Sequence, residues 1–587
     1  MTLKIVFTVL VVVSLAACGG GGGGSSAVAS ADVSPASAVD APPEGDSADT
    51  SEDESGSATE DSQPERLKGI AAASRLGSRA TLGLDYNAIV ELSEVGEEAW
   101  LDEQFQLPAS YHDPVVADLL TRQAGGEFTD LDAENPNLSA VFSRLAWWQQ
   151  AVSAEDQLRQ RVALALSEIF VVSDSINALS IYPYAMSNYY DLLLENAFGN
   201  FRDLLLDVTL HPAMGVYLSH INNAKADPEA NTFPDENYAR EVMQLFSIGL
   251  FELNPDGSEK TDAEGNPIPT YDNDDIREFA RVFTGLSFGG QNRQFPSRNV
   301  DFRQPMAMFD EFHDGGEKRL LGGQVLPAGQ SGMADIQAGV DNLFNHPNVG
   351  PFIGKQLIQR LVMSNPSPAY VERVTRAFEG DSDTPRGDMQ KVLRAVLLDP
   401  EALAIPDVEG TGGKLREPLL RVVATLRQLG VSSPDGFYAN TGFFVQEQIQ
   451  QHPLSAPSVF NFFQPTFRPA GEVAQSGLVA PEFQITNSGT VVSISNMVDA
   501  GVLGGFVNDL RREPFQQAEL DFSDYLSLAD DPEALVDRLD LVFTYQTLSA
   551  DTRTVLLDSL VEIDDPQTRV QAAIYWLLIS PDYAVEL

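Results

Sequence analysis

Through most of the chain apolar residues recur every three or four positions. Leu158, Val162, Ala165 and Ile169 share one face at the 3.6-residue period, and Ser153 with Asp156 before them has the spacing of a capping box. Ile276, Phe279, Ala280 and Phe283 repeat the pattern in a segment opened by Asp272 and closed by Gly285. The stretches 189–210, 371–378, 389–398, 415–429, 535–543 and 570–579 behave in the same way. Strand signals are few. The clearest is 250–253, followed by Asn254, Pro255, Asp256 and Gly257, a turn sequence that predicts a short hairpin between two helices; a second lies around 319–326. The pattern predicts a mainly α fold, a large multi-helix domain with a few short β-hairpins inserted between helices. A body of this length allows one very large domain or two subdomains, which would meet near 330–345.

The N-terminal region reads differently. Lys4 precedes an apolar run from Ile5 to Leu15, too short to span a bilayer, and the run ends in Leu15, Ala16, Ala17 and Cys18. This ending resembles a bacterial lipobox and implies a signal peptide over 1–18, with Cys18 lipidated as the mature N-terminus. From 19 to 65 there are eleven acidic residues, no basic ones, and mostly Gly, Ser, Ala, Pro and Thr. Such a segment buries too little apolar surface to offset its ordering entropy, so an acidic, disordered tether is expected, leaving 66–587 as the helical body. The expected location is the cell envelope, with the membrane as a partner through the lipidated N-terminus. Gly19 after the cysteine favours the outer membrane over the inner.

Charge removes one function class. With 85 acidic against 37 basic side chains the formal charge is -48, so a nucleic-acid partner is excluded for want of clustered Lys and Arg. Cys18 is the single cysteine, which excludes a disulfide, thiol catalysis and cysteine-based metal sites in the mature fold.

Several blocks carry a family resemblance. They include the run from Asp156 through Arg161 and Glu168 to Ser173, the run from Asn200 to Leu205, and that from Asp207 to Gly215 with His211. The run from Pro234 to Leu250 carries it above all. Later blocks are His313-Asp314 with Gly316-Glu-Lys, Ser364-Asn-Pro-Ser-Pro-Ala-Tyr, Lys414-Leu-Arg-Glu-Pro, Pro457-Ser-Val-Phe-Asn-Phe-Phe and Ser580-Pro-Asp-Tyr. In this order they resemble the bacterial family designated domain of unknown function 1800, over roughly 70–587. The resemblance implies an exported, mainly helical protein with no settled activity. It also implies a partner, an exported protein resembling sulfatases and alkaline phosphatases and encoded nearby. It supplies no catalytic residues to carry over and leaves the cofactor unknown.

Candidate chemistry must then come from the residues. In the helix expected over 235–249, Tyr238, Val242, Leu245 and Phe246 form an apolar arc, and Asn237, Arg240, Glu241 and Gln244 a polar one. Glu241 could act as general acid or base if burial raises its pKa, and Arg240 could grip a carboxylate, sulfate or phosphate; the bland alternative is structural pairing, with Glu236 reaching Arg240 at i,i+4. His313 and Asp314, between turn glycines and Lys318, suit proton transfer or loop packing. His211, His346 and His452 each precede proline, which suits a helix-capping role, and His211-Pro to Leu218 parallels His346-Pro to Ile353. The cluster Asp272 to Asp275 reads as a cap more readily than as a calcium loop. No local spacing supports a metal site, and no phosphate loop, dinucleotide fingerprint or nucleophile elbow occurs. Two readings emerge. One is a lipid-anchored binding or assembly module of the cell envelope; the other is an extracytoplasmic, hydrolytic enzyme using Glu241, Arg240 and Asn237 with His211 or His313 and Asp314.

Overall fold

The computed structural model describes residues 69–129, 137–291, 294–404, 412–434, 436–438, 443–504 and 518–587. The signal peptide, Cys18 and the acidic tether lie outside the described residues.

The fold is mainly α. Among the described residues the strands are two residues long and form three two-stranded antiparallel sheets. One apolar core runs from Ala73 through Tyr583 and takes in the buried face of the Gly332–Phe344 helix at Ile336, Val340 and Leu343. A smaller cluster of Val171, Ala456, Phe462 and Phe463 lies to one side.

Helices at the expected periodic stretches have ends set by local chemistry. Asp272 and Asp275 form a reciprocal capping box at the start of Asn273–Val282. The capping box expected from Ser153 and Asp156 does not form: Ser153 is the last residue of the Phe142–Ser153 helix and its hydroxyl donates to Gln149 O. Ala154 is extended, so the next helix is Gln157–Ser167. The stretch 189–210 is broken into Pro183–Asn196 and Phe201–Leu210, because the Asn200 side chain accepts from Arg202 N and starts a new helix.

Three elements border a cavity of about 600 Å³. The Gln157–Ser167 helix is buried on nearly every side and ends at Glu168. The Val349–Leu361 helix turns Gly350 and Gly354 against Thr375 and Val374 of the Pro368–Glu379 helix, with Val374 Cγ1 only 2.9 Å from where a Cβ on Gly354 would lie. That close approach leaves Phe352, Lys355, Gln356, Gln359 and Arg360 free to face away from the partner helix. The hairpin predicted from 250 is present and reaches Pro269. Phe251 bridges Pro269, Leu253 bridges Glu259 and Thr261 bridges Pro267, and Gly257, at φ 75°, closes the turn on Asn254 O. Asn348 bolts this hairpin down: its amide donates to Ile248 O and Phe251 O at 2.9 and 2.8 Å, and its oxygen accepts from Leu253 N. The second expected hairpin is the pair Lys318–Arg319 with Val325–Leu326.

Candidate functional site

The residues singled out from sequence are placed apart. Asn237 is exposed at the start of the Asn237–Gln244 helix. Arg240 pairs with Glu236 at 3.5 Å, both about two-fifths exposed, so the i,i+4 alternative is the geometry present. Glu241 is buried beside Tyr217 and Tyr271, its Oε2 has no hydrogen-bond partner, and burial pushes its carboxyl up against the opposing pull of Arg240. His211 caps the Pro212–Tyr217 helix: Nδ1 accepts from Ala213 N at 3.1 Å and Nε2 lies 3.2 Å from Asn188 Oδ1. Burial depresses it to about 3, so it stays neutral. His346 repeats the turn by accepting from Asn348 N, which gives the two parallel His-Pro segments a common local role.

His313 and Asp314 point to different partners. His313 Nε2 lies 3.0 Å from Asp335 Oδ2 and Nδ1 2.9 Å from Thr284 O. Asp314 takes a two-pronged grip from Arg281 at 2.9 and 3.1 Å and a third bond from Gly316 N. Burial alone would raise the Asp314 carboxyl, but these bonds override it and bring it down to about 2. Glu241 sits near Tyr271 and His313 binds Thr284, so the two stand at opposite ends of the Asn273–Val282 helix, about 15 Å long.

A different set of residues converges. Between the hairpin wall and the segment 459–479 lies a cleft of about 600 Å³, floored by Phe352, Lys355, Gln356, Gln359 and Arg360. Glu168 stands at its inner end, only 4% exposed. Arg360 Nη1 is 2.9 Å from Glu168 Oε2, at an angle that does not make a hydrogen bond, and Arg360 Nη2 donates to Glu168 O. Behind Glu168, Gln451 Nε2 reaches both Glu168 Oε1 at 3.3 Å and Glu417 Oε2 at 2.7 Å, which turns the two carboxyl groups toward each other. The two buried carboxyls are thereby coupled, and the charge on one bears on the ionisation of the other. Burial first, then the Glu417 charge, pushes Glu168 up to about 8. Burial pushes Glu417 the same way, but Lys414 and Arg161 reverse it and hold it down. Glu168 thus keeps the proton at neutral pH and Glu417 the charge. Lys414 completes the network, 3.2 Å from Glu482 and 4.0 Å from Glu417, with hydrogen bonds to Gln359 O and Arg360 O.

The network is incompletely satisfied. Arg161 Nε and Nη1, Arg360 Nε, Gln356 Nε2 and Ser364 Oγ are buried without partners. What this arrangement can offer chemically is a proton from a carboxylic acid held beside a guanidinium, at the end of a cavity large enough for an organic molecule. Among the described residues no three His, Cys, Asp or Glu side chains gather in a group that could hold a metal ion.

Sequence reasoning missed Glu168, Glu417 and Arg360 as site residues, because nothing local links positions 168, 360 and 417. The available signal was the blocks themselves, since Glu168, Ser364, Asn365, Lys414 and Glu417 all lie in segments that carried the family resemblance. No curated protein and no solved structure matches the chain. A family model described as "Protein of unknown function (DUF1800)" matches residues 75–585. With most of its length so matched, the chain belongs to that family.

Proposed function

We propose that the cleft is the functional centre and that the protein is an acid–base enzyme, hydrolytic in class, with Glu168 as proton donor. The carrying observation is the buried Glu168 carboxyl at the inner end of the cleft, beside Arg360 and tied through Gln451 to Glu417, where burial pushes it up. A carboxylic acid kept neutral at pH 7 is costly to build and is what protonation of a leaving group requires. Arg360 orients it, and Glu417 keeps the proton on Glu168 rather than touching substrate.

The test has two parts on the full chain. An infrared carbonyl stretch of a protonated carboxyl should persist at pH 7 in the wild type and be missing from Glu168→Gln. Turnover of a panel of chromogenic esters, glycosides, phosphates and sulfates should fall above about pH 8 and drop by about a hundredfold or more in Glu168→Gln. Full activity in that variant sinks the assignment.

A second reading is a binding or assembly module with an exported partner. Leu250 at 49% and Phe460 at 43% exposure, with Phe251, favour it by putting apolar surface on the cleft residues themselves. Under either reading we propose attachment to the envelope through Cys18, supported by the sequence around it. Cys18→Ser should then move the full chain from the membrane fraction to the soluble one.

A further inference from the structure

Lys355 and Arg468 line the cleft, and neither makes an ion pair or hydrogen bond among the described residues. The two cations are near neighbours. Burial in the concavity depresses the Lys355 ammonium, Glu259 opposes that, and the Arg468 charge adds to it. Glu259 stands more than 4 Å from both and does not neutralise them as a pair. At the inner end Glu168 is neutral, so Arg360 contributes a further positive charge facing the same space. A chain of net charge -48 therefore gathers three cationic side chains, Lys355, Arg360 and Arg468, around this cavity. Unpaired like charges are held together at a cost, and an anion between them removes it.

The floor between these ends is polar. Lys355 and Arg360 lie on one helix five residues apart, about 7.5 Å along its axis. Between them are Gln356, whose Nε2 is buried without a partner, and Gln359; Gln244, Ser364, Gln464 and Thr466 line the walls. We infer that the cleft takes an organic oxyanion with a hydroxylated or amide-bearing body, its acid group held between Lys355 and Arg468 and its far end reaching Glu168. This rests on the cleft being the functional centre proposed above, and it names the substrate class of that site. Lys355 supplies a point charge and Arg468 a fork matched to two oxygens of a carboxylate, sulfate or phosphate.

Calorimetric titration of the full chain at low ionic strength tests it, with D-glucuronate and glucose 6-phosphate as anionic probes and D-glucose as the uncharged one. At least one anionic probe should bind about tenfold more tightly than glucose. Lys355→Met and Arg468→Met should each weaken that probe about tenfold, and Arg319→Met, exposed and away from the cleft, should leave it unchanged. Neither side chain makes an ion pair or hydrogen bond among the described residues, so its loss spares the fold. Glucose binding as tightly as the anions, or anion binding unchanged in both variants, overturns the inference while leaving the cleft as a binding site. Heat from none of the probes overturns the inference. Binding needs no turnover, so a failed acid role for Glu168 would appear as inactivity with these affinities intact.

Discussion

Two clusters of buried charge lie in the body, one around Asp335 and one around Glu168. Asp335, 1% exposed, receives Lys318 Nζ at 2.6 Å, His313 Nε2 at 3.0 Å and Gln330 Nε2 at 2.7 Å, and Lys318 also donates to Asp314 O and Gly316 O. No side-chain atom of Asp335, Lys318, His313, Asp314 or Arg281 is left buried without a partner. The Glu168 cluster leaves orphan atoms on Arg161, Arg360, Gln356 and Ser364 and opens onto the cleft. A satisfied ionic network locks elements together; one held unsatisfied at a cavity keeps groups available for something else. His313 and Asp314, chosen from sequence as candidates for chemistry, belong to the first kind.

The largest effect should come from breaking the satisfied network. Asp335→Ala strands Lys318, which is wholly buried, and should destabilise the protein by about 3 to 5 kcal/mol in denaturant unfolding. Ligand affinity of the folded variant should be unchanged. A loss under about 1 kcal/mol would mean that the two clusters do not differ in kind.

Acid and alkali should separate them. Asp314 is depressed from 3.8 to about 2, so its contribution to stability is complete above its unfolded value and is lost as pH falls through about 2. Glu168 is raised from 4.5 to about 8, so its contribution is complete below pH 4.5 and is lost as pH rises through about 8. Glu168→Gln does not titrate and should gain on the wild type as pH climbs from 5 to 9. A constant gap in unfolding midpoint across that range would show that Glu168 is not the group holding the proton.

The wall of the cleft supplies an intermediate case. Asn348→Ala removes three hydrogen bonds, two to the hairpin and one to Ile248 just before it, and should cost about 1 to 3 kcal/mol. Amide exchange should quicken across 250–270 before it does elsewhere. Uniform exchange would mean that the hairpin is held by other contacts. Glu168→Gln should be the more stable form at pH 7, because the wild type takes up a proton to fold there and the amide does not.

How far the sequence could be read depends on the range of each interaction. The helices, the Asp272 cap and both hairpins rest on neighbours within a few residues, and period and turn chemistry expose them. The false capping box at Ser153 and the unforeseen break at Asn200 are also local, but were decided by which side chain captured a backbone N–H. The Glu168 site is assembled from 168, 360, 417 and 451, and what makes it unusual is burial, which no spacing reveals. Polar residues on one face of the Asn237–Gln244 helix were legible. That Arg240 would pair outward with Glu236 while Glu241 turned inward between tyrosines depended on packing alone.

The smallest expected effect bears on that same helix. Arg240→Met removes an exposed pair and should shift stability by about 0.5 kcal/mol or less. Glu241→Gln replaces a carboxyl that burial already pushes up and whose Oε2 binds nothing, so stability should stay level or rise slightly. Gln244, on the same helix, lines the cleft, whereas Glu241 does not, so the variant should also keep the affinity measured for the cleft. If Glu241→Gln instead lost turnover while Glu168→Gln kept it, the roles of the two carboxyls would be exchanged. The orphan oxygen near Tyr217 and Tyr271, rather than the buried carboxyl beside Arg360, would then mark where the chemistry takes place.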